Sequence, residues 1–284
     1  MLYGWHQLVM TDMTASAMMF HEQAGERQVS QRLISLQGLR KTFGKKTVLD
    51  HIDLDIAAQR ATVLIGPSSS GKSVLVKCML GLMEADFGEV LMEGESLSRL
   101  SREETERLHD RIGVVFQQNA LFDSLPVWEN VAFRLLSRGR VSRTQAREIA
   151  QEKLGLFGLK PWVGDRYPAE LSGGMQKRAG LARAFAMDPD ILILDAPTDG
   201  LDPIMTRHTN LLIRRVVQQH KVTVLSITTD MPSALEFYDD LAMLYDGRII
   251  WKGTTAAAQE APDPRLSQLL EGRSDGPISM AVRA

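Results

Sequence analysis

The sequence predicts an α/β fold: a mostly parallel sheet with helices on both faces, an antiparallel β subdomain and an inserted α-helical subdomain. Three observations predict it. Ile191-Leu192-Ile193-Leu194 and Thr223-Val224-Leu225-Ser226-Ile227 are continuous apolar runs, the pattern of strands covered on both sides. A third run, residues 61–65, leads through Gly66-Pro67-Ser68-Ser69-Ser70-Gly71-Lys72-Ser73 into Val74-Leu75-Val76, which reads as strand, glycine-rich loop and apolar-faced helix. From Gln118 to Glu170 the apolar spacing turns helical.

The chain has 284 residues, 44% hydrophobic and 24% charged, ample for a globular core. A formal net charge of −2 argues against a protein whose business is nucleic acid. The single cysteine, Cys78, lies on the apolar side of the helix after the glycine-rich loop, where a packing role is expected. No disulfide can form within the chain, so a reducing cytoplasm fits. Residues 1–20 are apolar-rich but broken by His6, Gln7, Thr11, Asp12 and Thr14, and they lack a basic start. Neither a membrane span nor a secretory signal is expected there. The expected organisation is a disordered extension (1–31), one domain (32–253) and a tail (254–284).

In chain order, Leu33-Ile34-Ser35-Leu36, Thr47-Val48-Leu49 and Ile52-Asp53-Leu54-Asp55-Ile56 read as strands, with Gly44-Lys45-Lys46 as a turn. Val90-Leu91-Met92 adds a strand before the turn Glu93-Gly94-Glu95. Ser101 with Glu104, and Ser142 with Gln145, are capping boxes that open helices. Residues 112–116 form a short buried strand that delivers Gln117 at its carboxyl end. Leu171-Ser172-Gly173-Gly174-Met175 opens another helix, which Asp188-Pro189 stops. Residues 242–251 form a hairpin about Asp246-Gly247, and residues 264–270 a helix in the tail. The helical subdomain spans about 118–186.

The loop GxxxxGK[ST] carries the clearest chemistry. Its small residues let successive backbone N–H groups turn inward, and the following helix aims its positive end at the same point. Gly66, Pro67, Ser68, Ser69, Ser70, Gly71, Lys72, Ser73 and Val74 are therefore the candidate polyphosphate cradle. Lys72 would neutralise the β and γ phosphates, and the Ser73 hydroxyl would hold Mg²⁺.

Lys72, Gln117, Ser172-Gly173-Gly174 and Asp195 at the end of its apolar run stand in fixed order, followed by Gly200-Leu201-Asp202-Pro203. With these residues the chain resembles the nucleotide-binding domain of ATP-binding cassette (ABC) transporters, from about Leu33 to Gly253. The resemblance implies a RecA-like P-loop NTPase core, ATP and Mg²⁺ as cofactors, and a head-to-tail dimer that sandwiches two ATP molecules. It implies that Phe43 stacks on adenine, which outranks a reading as an inward-packing strand residue. Ser73 and Gln117 would ligate Mg²⁺, with Asp195 holding it through water; all three offer the oxygen atoms a hard cation takes. Ser172, Gly173 and Gly174 would reach the γ-phosphate held by the opposite subunit, and Asp202 would lie on the dimer seam. Ser172 reads equally as a plain helix cap.

Two positions break the family pattern, both where hydrolysis is done. Ala196 stands where the general base Glu is usual, and Thr229 where His is usual. A methyl group accepts no proton, so binding without rapid turnover is expected. A degenerate partner of a competent sibling, a slow homodimer and a trapped variant all stay open. The alternative reading is a module that binds ATP and does not hydrolyse it.

The stretch 120–133, with Leu270-Glu271-Gly272 and Gly276-Pro277-Ile278, resembles the ATPases of Mla/Mce-type phospholipid-transport systems. That implies an integral membrane permease docked near Phe122, Leu125 and Trp128, any one of which reads equally as an ordinary core residue, a second ATPase subunit, and a peripheral place on the cytoplasmic side of the inner membrane. It also implies a tail that embraces the neighbouring subunit, with Leu266, Leu269, Leu270 and Ile278 as anchors. DNA-repair and translation relatives fit poorly, because the insertion is short and there is one cassette.

Overall fold

A computed structural model of the chain describes residues 32–117, 121–139 and 141–279. The expected extension 1–31, groove residues Gln118, Asn119 and Ala120, and tail residues 280–284 lie outside the described residues.

An antiparallel sheet comes first, built from β1 (Arg32–Phe43), β2 (Lys46–Ala57), β4 (Phe87–Met92) and β5 (Glu95–Ser96) in the order β2-β1-β4-β5. The sequence reads residues 47–49 and 52–56 as two strands; the structure joins them. His51 takes a left-handed φ of 55°, and the register slips between the pairs Leu39 with Ile52 and Lys41 with Leu49. This bulge changes the parity of the strand, so that Leu49 and Ile52 both point inward although three residues apart.

The main sheet runs β10-β9-β3-β8-β7-β6. It comprises β3 (Ala61–Ile65), β6 (Ile112–Val115), β7 (Ile191–Asp195), β8 (Thr223–Ile227), β9 (Asp240–Tyr245) and β10 (Arg248–Thr254). Every pairing from β9 to β6 is parallel, and β10 alone pairs antiparallel. Alternate residues feed two cores. Val63, Ile65, Leu192, Leu194 and Val224 face one cluster, while Leu64, Ile193, Leu225 and Ile227 face another, which the antiparallel sheet completes. Burial on both faces is why these strands read as unbroken apolar runs.

Helices α1 (Lys72–Met79), α2 (Arg102–Asp110), α3 (Val127–Ser137), α4 (Arg143–Leu156) and α5 (Gly173–Ala184) follow in order. The two capping boxes open α2 and α4 as expected. Helix α5 packs closely because Ala179, Gly180, Ala182 and Ala184 are small. A Cβ added to Gly113 of β6 would lie 2.3 Å from the Ala184 carbonyl oxygen, so only glycine allows this approach. Residues 203–220 and 231–237, not singled out in the sequence, are α6 (Pro203–His220) and α7 (Met231–Phe237). Asp202 and Asp230 cap them, each with proline in the first turn.

The tail holds α8 (Thr255–Gln259) as well as the expected helix, α9 (Pro264–Glu271). Leu266 and Ile278 are buried in this chain's own larger core. They anchor the tail within the chain, with the other two expected anchors, Leu269 and Leu270, partly buried against the same core. Gln268 staples the return. Its Nε2 donates to the Ile278 carbonyl at 3.1 Å, and its Oε1 accepts from the Ile278 N–H at 2.8 Å. No helix among the described residues is long and apolar enough to cross a membrane.

Candidate functional site

Parallel strands bring their carboxyl ends to one edge of the sheet, where ligands of open α/β sheets sit. Here β3 leads into residues 66–73, β6 into Gln117, β7 into Asp195 and Ala196, and β8 into Thr228 and Thr229. Segments far apart in the chain thus meet along one rim.

The loop after β3 is a cradle that side chains would fill. Gly66 has φ of 150° and Gly71 of 105°. A Cβ on Gly66 would fall 2.1 Å from the Leu244 carbonyl oxygen, and one on Gly71 would come within 3.0 Å of the Val48 carbonyl. Gly71 caps α1 with no side-chain hydrogen bond, so the first N–H groups of the helix meet no capping side chain. Lys72 is only 9% exposed. Its Nζ donates to the carbonyls of Gly66 and Pro67, both at 2.8 Å, and to Ser70 Oγ at 3.4 Å. Burial pushes the Lys72 ammonium below the usual lysine range, and the Asp195 carboxylate pulls back. A buried ammonium on neutral acceptors, beside an uncapped helix start, fits a bound anion.

Asp195 is raised above the usual carboxylate range, first by burial; Lys72, a hydrogen bond from Ser73 and Lys77 oppose this. Ser73 and Asp195 are thus neighbours, two of the three expected cation ligands side by side. Gln117, the third, is exposed and donates from Nε2 to Asp199 Oδ2 at 3.2 Å. A hydroxyl, an amide carbonyl and a carboxylate form a donor set that suits Mg²⁺.

Ala196 and Thr229 line one cleft of about 550 Å³, with Thr198, Asp199, Gly200, Leu201 and Asp230. Ala196 holds a left-handed φ of 50°, uncommon for a residue with a Cβ. Ser172 caps α5, accepting from the Met175 N–H at 3.3 Å, and Asp202 caps α6, accepting from the N–H groups of Ile204 and Met205 at 3.0 Å. Both are exposed, and Ile204 beside Asp202 is 82% exposed. Phe43 ends β1 at 46% exposure with the Lys41 ammonium over its ring, so it does not pack inward.

Of the three groove residues, Phe122 is 40% exposed and Leu125 half-buried. Trp128 corrects the expectation. It is 6% exposed in the core, under the guanidinium groups of Arg143 and Arg147, because it sits on the inner face of α3. Around the exposed rings, Arg183 lies over both Phe122 and Phe133. Sequence reasoning passed over Arg183, Phe133 and Asp199. The readable signal for Asp199 was a carboxylate three residues after the place where one is missing.

The family model described as ABC transporter matches residues 49–199. A Mycobacterium leprae protein named as a probable ribonucleotide transport ATP-binding protein, Mkl, is 37% identical over 250 residues, covering 87% of this chain and 71% of its own. A Haemophilus influenzae protein named as the intermembrane phospholipid transport system ATP-binding protein MlaF is 34% identical over 250 residues, covering 88% and 94%. Among solved structures, a dimeric ATP-binding cassette in a post-hydrolysis state with ADP and phosphate superposes with a TM-score of 0.72 at 29% identity, covering 78% of this chain and 98% of that one.

Proposed function

Because this chain belongs to the ABC transporter family, we propose that it is the ATP-binding subunit of a bacterial Mla/Mce-type transporter, in which dimer closure on MgATP is coupled to phospholipid movement. The observation that carries the ATP reading is Lys72, a buried ammonium held by neutral oxygens at the start of α1. In this reading the loop 66–74 takes the phosphates and Phe43 the adenine. Ser73, Gln117 and Asp195 hold Mg²⁺, which when bound neutralises phosphate charge. Ser172, Gly173, Gly174 and Asp202 face the nucleotide of a second subunit, identical or a sibling.

The names of the relatives differ on cargo, ribonucleotide for Mkl and phospholipid for MlaF. The phospholipid reading is favoured because this chain spans 94% of MlaF against 71% of Mkl. The exposed Phe122 and half-buried Leu125 are the part of the groove offered to a membrane permease, which would hold the chain at the cytoplasmic face of the inner membrane. Exposed tail residues 271–277 are the part offered to a neighbouring subunit.

A second reading, binding without hydrolysis, draws on Ala196 and Thr229, which share one cleft and supply no proton acceptor of use near neutral pH. Calorimetry with MgATP tests the first reading: saturable binding by the purified chain is expected, and no heat of binding would overturn it. Phosphate release by the same sample separates the second reading, which requires turnover far below that of a complete site.

A further inference from the structure

Asp199 has no part in the ATP site as described, yet its carboxylate accepts a hydrogen bond from Gln117, 82 residues away in the chain. We propose that Asp199 is a positioning residue that fixes which end of the Gln117 amide faces the divalent cation. This inference rests on the ATP reading and deepens it.

A glutamine amide has a donating end and an accepting end that differ little in shape, so it can sit either way round. An ionised carboxylate only accepts. At 3.2 Å from the Gln117 side chain, Asp199 Oδ2 therefore requires the NH₂ end, whatever orientation the amide would otherwise choose. The carbonyl Oε1, the end a hard cation can use, is then presented away from Asp199. A serine or an asparagine at position 199 would impose no such choice, since each can both donate and accept.

The loop that carries Asp199 is itself fixed. Its N–H donates to the Ala196 carbonyl at 3.2 Å, which closes a turn directly after Asp195. On its other side Asp199 lies within electrostatic reach of Lys177 in α5. The carboxylate thus stands between the strand end that bears Gln117 and the helix that opens at Ser172.

Outer partners of metal ligands typically matter by about ten- to a hundredfold in metal affinity, and that is the loss expected for Asp199→Asn. Two titrations on the full chain test it: a fluorescent ATP analogue in EDTA reads metal-free nucleotide affinity, and Mn²⁺ added to the nucleotide-loaded protein is followed by electron paramagnetic resonance. Asp199→Asn and Asp199→Ser should both weaken Mn²⁺ binding while leaving metal-free nucleotide affinity as in the wild type. In a Gln117→Ala background neither should have a further effect. Unchanged Mn²⁺ affinity, or an equal loss in the Gln117→Ala background, would overturn the assignment. Failure of the wild type to bind nucleotide with or without metal would instead overturn the ATP reading, and this inference with it.

Discussion

At the Lys72 position burial and attraction pull in opposite directions, and the sign of the balance is readable in pH. Burial lowers the folded-state pKa below 10.5, so between the lowered value and 10.5 the unfolded chain binds more protons than the folded one. The contribution of this group to stability therefore rises with pH through that window. Lys72→Met should flatten the alkaline rise in stability of the nucleotide-free chain, read by denaturant titration at a series of pH values. Loss of a charged hydrogen-bonding group of this kind costs about 1.5–3 kcal/mol, so ATP affinity should fall by about ten- to a hundredfold. Ala196 and Thr229 invite the opposite experiment. Ala196→Glu with Thr229→His should raise phosphate release by about 10² to 10⁴, with the pair exceeding either single change because the groups act as a unit. Lys72, Ala196 and Thr229 were legible in the sequence because each sits at a fixed step from glycines or an apolar strand. Asp199 showed only as a carboxylate near the missing one, since its significance is a hydrogen bond across 82 residues, and Trp128 stayed open between groove and core because an aromatic in such a stretch reads the same whichever face of α3 it occupies.

Among the elements, α9 shows how one side chain can hold a segment. Gln268 is 3% exposed, and both ends of its amide bond the backbone of Ile278. Gln268→Ala would leave a buried N–H and carbonyl without partners, at about 1–3 kcal/mol. We expect hydrogen exchange to accelerate over 264–279 and not in the main sheet, which would reveal a segment that opens on its own. Exchange unchanged in α9 would show that Leu266 and Ile278 suffice. The strands of the main sheet were legible from their unbroken apolar runs, and α2 and α4 from their capping boxes. Helix α6 escaped because its opening, Asp202-Pro203, reads first as part of a motif, and α7 because it is short. The two pieces of β2 escaped joining because the bulge at His51 breaks the alternation on which strand recognition depends.

For the whole molecule, exposed residues on one face set the expectation. Ser172, Asp202 and the apolar Ile204 stand in solvent at helix starts, and a second copy would cover them. On the reading that Ala196 and Thr229 slow hydrolysis, MgATP alone should double the mass of the 31.6 kDa chain in light scattering. Ile204→Glu should shift that equilibrium back towards single chains, and mass that does not respond to MgATP would argue for a sibling partner. The parallel architecture could be foreseen because strands buried on both faces have a distinctive composition. Which aromatics of the stretch 120–133 face solvent could not, since the exposure of Phe122 and Phe133 and the burial of Trp128 are set by packing that only the folded chain displays. One close contact has a mechanical corollary. At Gly113 the backbone of β6 bears directly on the end of α5 with no side chain between, while β6 runs on to Gln117 and α5 starts at Ser172. The two are locked backbone against backbone, so a single methyl at position 113 would wedge β6 off the end of α5 and disturb both Gln117 and Ser172 at their far ends.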